Sequence, residues 1–489
     1  MIKSPKFNYY NYLYAILFSS FWSLNIFFNH AGDYGTYLAI SFLINEGQIL
    51  YLDLFDHKGP FFYFFLVIIG KFIGTGSYQS FISLILICLV FLMPLVYLIN
   101  KKISNTYLQI TLLLLLFSSF YAQTSNSSIA LFQSGLIVSF FIFLIKSLNN
   151  SENFWFDWFL SSVFISLAIL TRIDAIIFLP ILFFIFFKKN LPEFFIALIF
   201  FILFFLFLLF ALSFQLNFDL KNYINTNYFF NFWYGNLFIK NFFYRPQQYS
   251  ILLISGIFIS LIVILNYCSD KIELKKFFFK YFLFRKKIKT DLNTFNLNLI
   301  FILFGFMSII IALNDVHYYL YVVYAPVLYF IICWSKFVPS KLYKYSIIMS
   351  IYCIILISLP LAKNLVKKID CINSFTNNDC SNLKLTIIDP DFKNSPIVLG
   401  DNGWIIVLTR STPKNVFTNW WFYYGNKSFE NESLINSHGK IINMSSNTNV
   451  WIQKSLIQHN MSQNKYLNEI LGLSSFIQDQ GIYVKYKIK

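Results

Sequence analysis

Apolar runs close to the ~20 residues that cross a bilayer as a helix recur through the first three quarters of this chain, and polar residues gather between them. The runs predict spans at roughly 12–29, 77–100, 104–122, 128–146, 155–171, 173–187, 194–214, 249–267, 297–313, 318–335 and 346–362. The pair within 155–187 is short and is divided only by Thr171-Arg172-Ile173-Asp174, a pattern that also fits a tilted hairpin. From position 363 the pattern changes. The tail is polar and rich in Asn and Ser, with strand-like runs at 395–400 and 481–486 and helix-permissive stretches between them. The predicted fold is an α-helical polytopic membrane protein of about eleven crossings (1–362) with a small extramembrane α/β domain (363–489).

One apolar stretch sets the topology. Residues 61–75 would reach only about 22 Å as a helix, short of the ~30 Å hydrocarbon core, and they contain Gly70, Lys71 and Gly74. If this segment lies in the interface, Lys101-Lys102, Lys188-Lys189 and the basic cluster at 271–289 all fall on the inner side, as positive short loops do. If it crosses, they all fall outside. The first arrangement is therefore expected, with the N-terminus inside and the tail outside, in a membrane such as the bacterial plasma membrane. Lys3 and Lys6 precede the first run and no small-residue cleavage motif follows it, which reads as an uncleaved anchor.

Composition agrees with this class. The 489 residues are 57% hydrophobic and only 12% charged. The net charge of +16 suggests nucleic acid at first sight, but Lys and Arg cluster at helix ends, so no nucleic-acid partner is expected and the bilayer is the partner. Of the six cysteines, Cys88, Cys333 and Cys353 lie in apolar runs and Cys268 at a helix end, where they read as packing residues. Cys371 and Cys380 both lie in the tail, where an oxidising compartment would let them pair.

The chemistry-bearing residues sit in three external segments: 30–60, the aromatic and polar stretch 215–248, and the turn at 314–319. In the first, Asp33 follows the first run, and Asp53, Asp56, His57 and Lys58 close the segment. A carboxylate at a membrane surface can act as general base toward a hydroxyl, and a fixed lysine can hold a phosphate leaving group. On spacing alone, the commoner uses are a helix-capping Asp33 before a helix starting near Tyr34 and an interfacial Lys58.

The order of these elements adds a resemblance. Asp33, an amphipathic segment, Glu46-Gly47, Tyr51-Leu52-Asp53 and then Asp56-His57-Lys58-Gly59-Pro60 resemble the first external loop of C-type (GT-C) glycosyltransferases. The resemblance is to the branch holding protein O-mannosyltransferases and the lipid A aminoarabinose transferase. Leu170-Thr171-Arg172-Ile173-Asp174 is similar to that family's Leu-Thr-Lys element, and His317-Tyr318 with Pro326 to its late signature. The resemblance covers about the first 190 residues well.

It implies transfer of a sugar from a polyprenyl-phosphate donor to a glycan, lipid or protein acceptor on the outer face, with inversion. Asp33 would be the base and Lys58 the contact to the donor phosphate. Asp56 would stand near the family's acidic position, one residue displaced, and His57, Tyr51, Arg172, Arg245, His317 and Tyr318 would line the donor site. Where many members carry an Asp between the third and fourth crossings, this chain has Gln123-Thr124-Ser125-Asn126-Ser127-Ser128. Asp33, Asp53 and Asp56 could supply oxygen ligands to a divalent metal, but lysine and arginine can compensate the leaving phosphate, so no metal or other cofactor is expected. A flippase or other transporter of lipid-linked glycans is the alternative from another class. It would need charged groups within the spans, which are nearly charge-free. A polysaccharide polymerase would share the transferase geometry.

Overall fold

The computed structural model describes residues 9–29, 34–103, 128–149, 153–182, 191–229, 397–399, 417–418, 439–443, 448–454, 465–480 and 483–489, with a few isolated positions between them. The membrane part comprises α1 (Tyr9–Asn29), α2 (Tyr34–Asn45), the short strand β1 (Leu54–Phe55), α3 (Pro60–Ile73), α4 (Ser77–Lys102), α5 (Ser128–Asn149), α6 (Phe154–Thr171), α7 (Leu191–Leu216) and α8 (Leu220–Ile224). Among the described residues, four helices are long and apolar enough to cross a membrane: the cores of α4, α5, α6 and α7. α1 is 21 residues long but less apolar, with Asn11, Ser19, Ser20, Ser23 and Asn25 along it. The spans expected at 249–267, 297–313, 318–335 and 346–362 lie outside the described residues, as do Cys371, Cys380 and the boundary near 363.

Packing follows side-chain size and hydroxyl satisfaction. α5 lies between α4 and α6, α1 packs on α4, and α7 packs on α6. At the α4–α5 crossing Gly135 faces the backbone of Val90, where a Cβ would come within 2.4 Å of the Val90 carbonyl oxygen. Small residues allow such close approach, which is what drives helix association where lipid supplies no hydrophobic contrast. Serines inside these helices turn back onto their own turn. Ser134 Oγ donates to the Ala130 carbonyl at 2.8 Å and Ser139 Oγ to that of Gly135 at 3.0 Å, so neither hydroxyl is left bare in an apolar setting. The apolar window of α5 is 94% buried and that of α7 only 17%, which places α5 in the bundle centre and α7 at its lipid-facing rim.

Two segments depart from the sequence expectation. α2, expected to be amphipathic, is buried at every position from Tyr34 to Leu43, because α3 and α4 cover it and it carries no charge to keep in water. The segment after Arg172 begins as a 3-10 helix, Ile173–Leu182, rather than as an α-helical span. Arg172 leaves α6 in an extended conformation, and the Ala175 N–H donates to the Arg172 carbonyl, an i to i+3 bond that starts the tighter winding.

α3 has the expected shortness. Gly59 caps it, Pro60 occupies its first turn and Gly74, at φ +87°, ends it. Its 14 residues span about 21 Å.

In the tail, β2 (Ile397–Leu399), β4 (Asn449–Gln453), β5 (Ser474–Gln480) and β6 (Tyr483–Ile488) form one sheet in the order β2-β4-β6-β5, with α9 (Lys465–Gly472) leading into β5. β2 runs parallel to β4, and the other neighbours are antiparallel. The separate strand β3 (Phe417–Thr418) pairs in parallel with β1, Leu54 opposite Phe417 and Phe55 opposite Thr418. Gln48 Nε2 also donates to the Pro413 carbonyl at 3.3 Å. The tail therefore touches the loop that leads to Asp56.

This pairing and the length of α3 make a topological prediction. In a background cleared of native cysteines, Leu52→Cys and Lys440→Cys should react with an impermeant maleimide from one side of the membrane, and Lys101→Cys only from the other. Labelling of Lys101→Cys from the same side as Leu52→Cys would mean that α3 crosses.

Candidate active site

The loop between α2 and α3 is shaped by its own polar groups. Asp53 Oδ2 accepts from the Ile49 N–H at 2.9 Å and closes a tight turn, so this carboxylate is used in local structure. Within the turn Tyr51 sits at φ +66°, a conformation that costs a β-carbon-bearing residue on the order of 1–3 kcal/mol. Its surroundings hold it there. The Tyr51 hydroxyl donates to the Lys58 carbonyl at 2.7 Å, and its ring packs edge-on against Phe218 and tilted against Tyr223, at centroid distances of 5.3 and 5.6 Å. Two of the three expected external segments thus meet at Tyr51.

Asp56, His57 and Lys58 follow, and all three are buried, with 1%, 6% and 3% of their surface exposed. They form a chain of charge and dipole. Asp56 Oδ1 stands 3.2 Å from His57 Nδ1, at ion-pair distance with imperfect hydrogen-bond alignment, and Lys58 Nζ stands 2.5 Å from His57 Nε2. An ammonium group can only donate, so Nε2 is the accepting nitrogen and the ring proton belongs on Nδ1, facing the carboxylate. Burial and then the charge of Lys58 bring the His57 pKa down to about 4 against the upward pull of Asp56, with Arg172 adding to the depression. The ring is neutral near pH 7. Burial pushes the Asp56 carboxyl upward, but the hydrogen-bonding contact with His57, the charge of Lys58 and the Tyr63 hydroxyl together hold it below the usual carboxylate range. Tyr63 donates to Asp56 Oδ2 at 2.5 Å from the first turn of α3.

A second strand of the site comes from the end of α6. The Gly59 N–H donates to the Thr171 carbonyl at 2.9 Å, tying the Lys58 loop to the residues that precede Arg172. The Arg172 guanidinium is 5% exposed and ion-pairs with Asp174 through Nη2 at 2.9 Å. Gln133 of α5 braces the turn, its Nε2 placed 2.9 Å from the Arg172 carbonyl and 2.7 Å from Asp174 Oδ1. Among the described residues, no group of three His, Cys, Asp or Glu side chains converges as a metal site would require.

The structure therefore brings together Tyr51, Asp56, His57, Lys58 and Arg172. Asp33, Arg245, His317 and Tyr318 lie outside the described residues. Sequence reasoning missed Tyr63, Gln133 and the structural part of Gly59, and it quoted Asp174 without a role. The Arg-x-Asp spacing was a usable signal for the last; a tyrosine seven positions after Asp56 and a glutamine in a distant helix gave none.

The crystal structure of ArnT from Cupriavidus metallidurans bound to undecaprenyl phosphate superposes over 98% of this chain and 97% of its own, with a TM-score of 0.56 and 12% sequence identity. The apo state of the same protein gives 0.52 over 97% and 98%, also at 12% identity. The chain has the fold of ArnT. The four described helices that are long and apolar enough to cross a membrane fit that fold and an integral membrane protein. No protein-family model matches the chain, and no curated protein matches it in sequence.

The Gly59 contact yields a test of how the site is held. A Cβ at position 59 would lie 2.0 Å from the Leu170 carbonyl oxygen, a backbone atom that cannot swing aside. Gly59→Ala should destabilise the solubilised protein by about 1–3 kcal/mol, as overpacking does. Gly439→Ala, with nothing within 4 Å of the added carbon, should leave the melting temperature unchanged. Equal melting temperatures for both variants would show that the Lys58 loop is not anchored on α6.

Proposed function

We propose that this chain is a membrane glycosyltransferase that moves a sugar from a polyprenyl-phosphate donor to an acceptor on the outer face of a bacterial plasma membrane. The observation that carries this reading is the buried Asp56–His57–Lys58 chain in a fold shared with a protein crystallised with undecaprenyl phosphate. A lipid phosphate needs a fixed cation, and an ammonium group held at the head of a buried loop supplies one without having to be reorganised. Arg172, braced by Asp174 and Gln133, provides a second cation close enough to affect His57 electrostatically.

In this mechanism, cleavage of the bond between sugar and phosphate leaves negative charge on the phosphate, which Lys58 stabilises. The acceptor hydroxyl attacks the anomeric carbon from the opposite face, giving inversion, and its proton passes to Asp33. Asp56 and His57 act through Lys58: the neutral ring sets its position and the Asp56 carboxylate offsets its charge. Arg245, His317 and Tyr318 complete the donor site. The sequence of the loop, with Asp33 preceding α2 and Lys58 preceding α3, supports placing both groups at the same end of the bundle. No step of the scheme requires a metal.

Membranes containing each variant at equal level, supplied with labelled polyprenyl-phosphate sugar, test the assignment. Asp33→Asn should lower transfer by roughly 10²-fold or more with donor binding retained, as expected for a lost general base. Lys58→Ala should lower both donor retention and turnover. Near-normal transfer by Asp33→Asn would remove that residue from the mechanism.

A further inference from the structure

The far end of the bundle carries a second cluster of cations that the proposed chemistry does not use. Lys101 ends α4 and Lys146 lies in the last turn of α5. Gln79 of α4 donates to the Leu66 carbonyl of α3 at the site end, and Lys101 lies 22 residues further along the helix, about 33 Å away. The two lysines converge on one tyrosine. Lys101 Nζ donates to the Tyr97 hydroxyl at 3.4 Å and lies 5.6 Å from its ring centre, while Lys146 Nζ lies 5.5 Å from the same ring and 4.7 Å from that of Phe143.

Lysines at helix ends commonly offset the partial negative charge there or reach toward lipid headgroups. Two features make this pair more than that. Two ammonium charges exceed the roughly half-unit negative ends of the two helices. Among the described residues no carboxylate pairs with either lysine; Asp157 and Glu193, which start α6 and α7, form no ion pair with them. The base of the cluster is also rigid. Asn11 of α1 donates through Nδ2 to Asn100 Oδ1 at 2.6 Å and to Gln109 Oε1 at 3.0 Å, and Gln109 Nε2 donates to the Ile103 carbonyl at 2.6 Å. All three amides are buried, at 0%, 3% and 3% exposure. They tie α1 to the end of α4, where the tyrosine and Lys101 stand.

We propose that Lys101, Lys146 and the Tyr97 hydroxyl form a binding site for the phosphate of an anionic phospholipid headgroup. Two ammonium groups hold the charge of a phosphodiester, and the tyrosine hydroxyl donates to one of its oxygens. The aromatic faces of Tyr97 and Phe143 keep both lysines in place when the site is empty. The ligand is a lipid rather than free phosphate because the cluster lies at the end of helices whose apolar bodies are long enough to span the bilayer, where acyl chains pack alongside.

The test uses the full-length protein in detergent with phosphatidylglycerol, phosphatidylcholine or inorganic phosphate added at equal concentration. Phosphatidylglycerol should raise the melting temperature saturably, and the other two should not. Lys101→Gln/Lys146→Gln should abolish that rise, and Tyr97→Phe should weaken the lipid's apparent affinity several-fold. Native mass spectrometry counts retained phosphatidylglycerol on the wild type and the double variant, a readout that stands even if the variant melts lower. A full lipid-dependent rise in the double variant, an unchanged affinity in Tyr97→Phe, or an equal rise with inorganic phosphate would each overturn the proposal. Loss of lipid binding with sugar transfer intact remains the expected result, since the cluster is separate from Asp56–Lys58.

Discussion

Burying a lysine ammonium group costs several kcal/mol unless another polar group replaces its water, and at Lys58 that group is the ring of His57. The ring can accept from Lys58 only while it is neutral, and it stays neutral because burial and the lysine's own charge depress its pKa. Its other nitrogen faces Asp56, which keeps the cluster from carrying an unbalanced positive charge. Each member of the chain thus depends on the protonation of the next. The supports around it serve the same end: Tyr63 bonds to Asp56, Tyr51 holds the Lys58 carbonyl, and Gly59 pins the loop to α6.

The loop owes its rigidity to neighbours far away in the chain. α6 supplies the Thr171 carbonyl, the segment after α7 supplies Phe218 and Tyr223, and the tail supplies β3 alongside β1. A site assembled from so many elements can hold a strained Tyr51 because no single contact has to offset the cost alone. Preorganisation of this kind is what electrostatic stabilisation of a leaving phosphate requires, since a cation that has to move at the moment of reaction gives back much of what it gains.

The parts of this fold that were legible in the sequence are those set by local pattern. Long apolar runs gave α4, α5, α6 and α7 nearly to their ends, and the shortness of the run at 61–75 gave α3 to within two residues at either end. Strand-like runs in the tail gave β2 and β6. What pattern could not give was burial on all sides. α2 reads as a helix with polar positions, yet its Thr36 and Ser41 are buried and α3 and α4 cover the rest. The clustering of Asp56, His57 and Lys58 with Arg172 was reachable only through a family resemblance, because the two segments are more than a hundred positions apart and meet through backbone hydrogen bonds. Gln133 and Tyr63 were not reachable at all, as a lone polar residue in an apolar helix carries no record of its partner.

The Asp56–His57–Lys58 chain depends most directly on the protonation of His57. Selective 15N labelling of histidine, with His57→Gln used to assign the signal, reports the tautomer and the titration of this ring in the solubilised protein. The Nδ1-protonated neutral tautomer is expected at pH 7, with protonation only as the pH falls toward about 4. An Nε2-protonated ring, or a titration near the ordinary histidine value of ~6.5, would contradict the bridge between Asp56 and Lys58 on which the site is built.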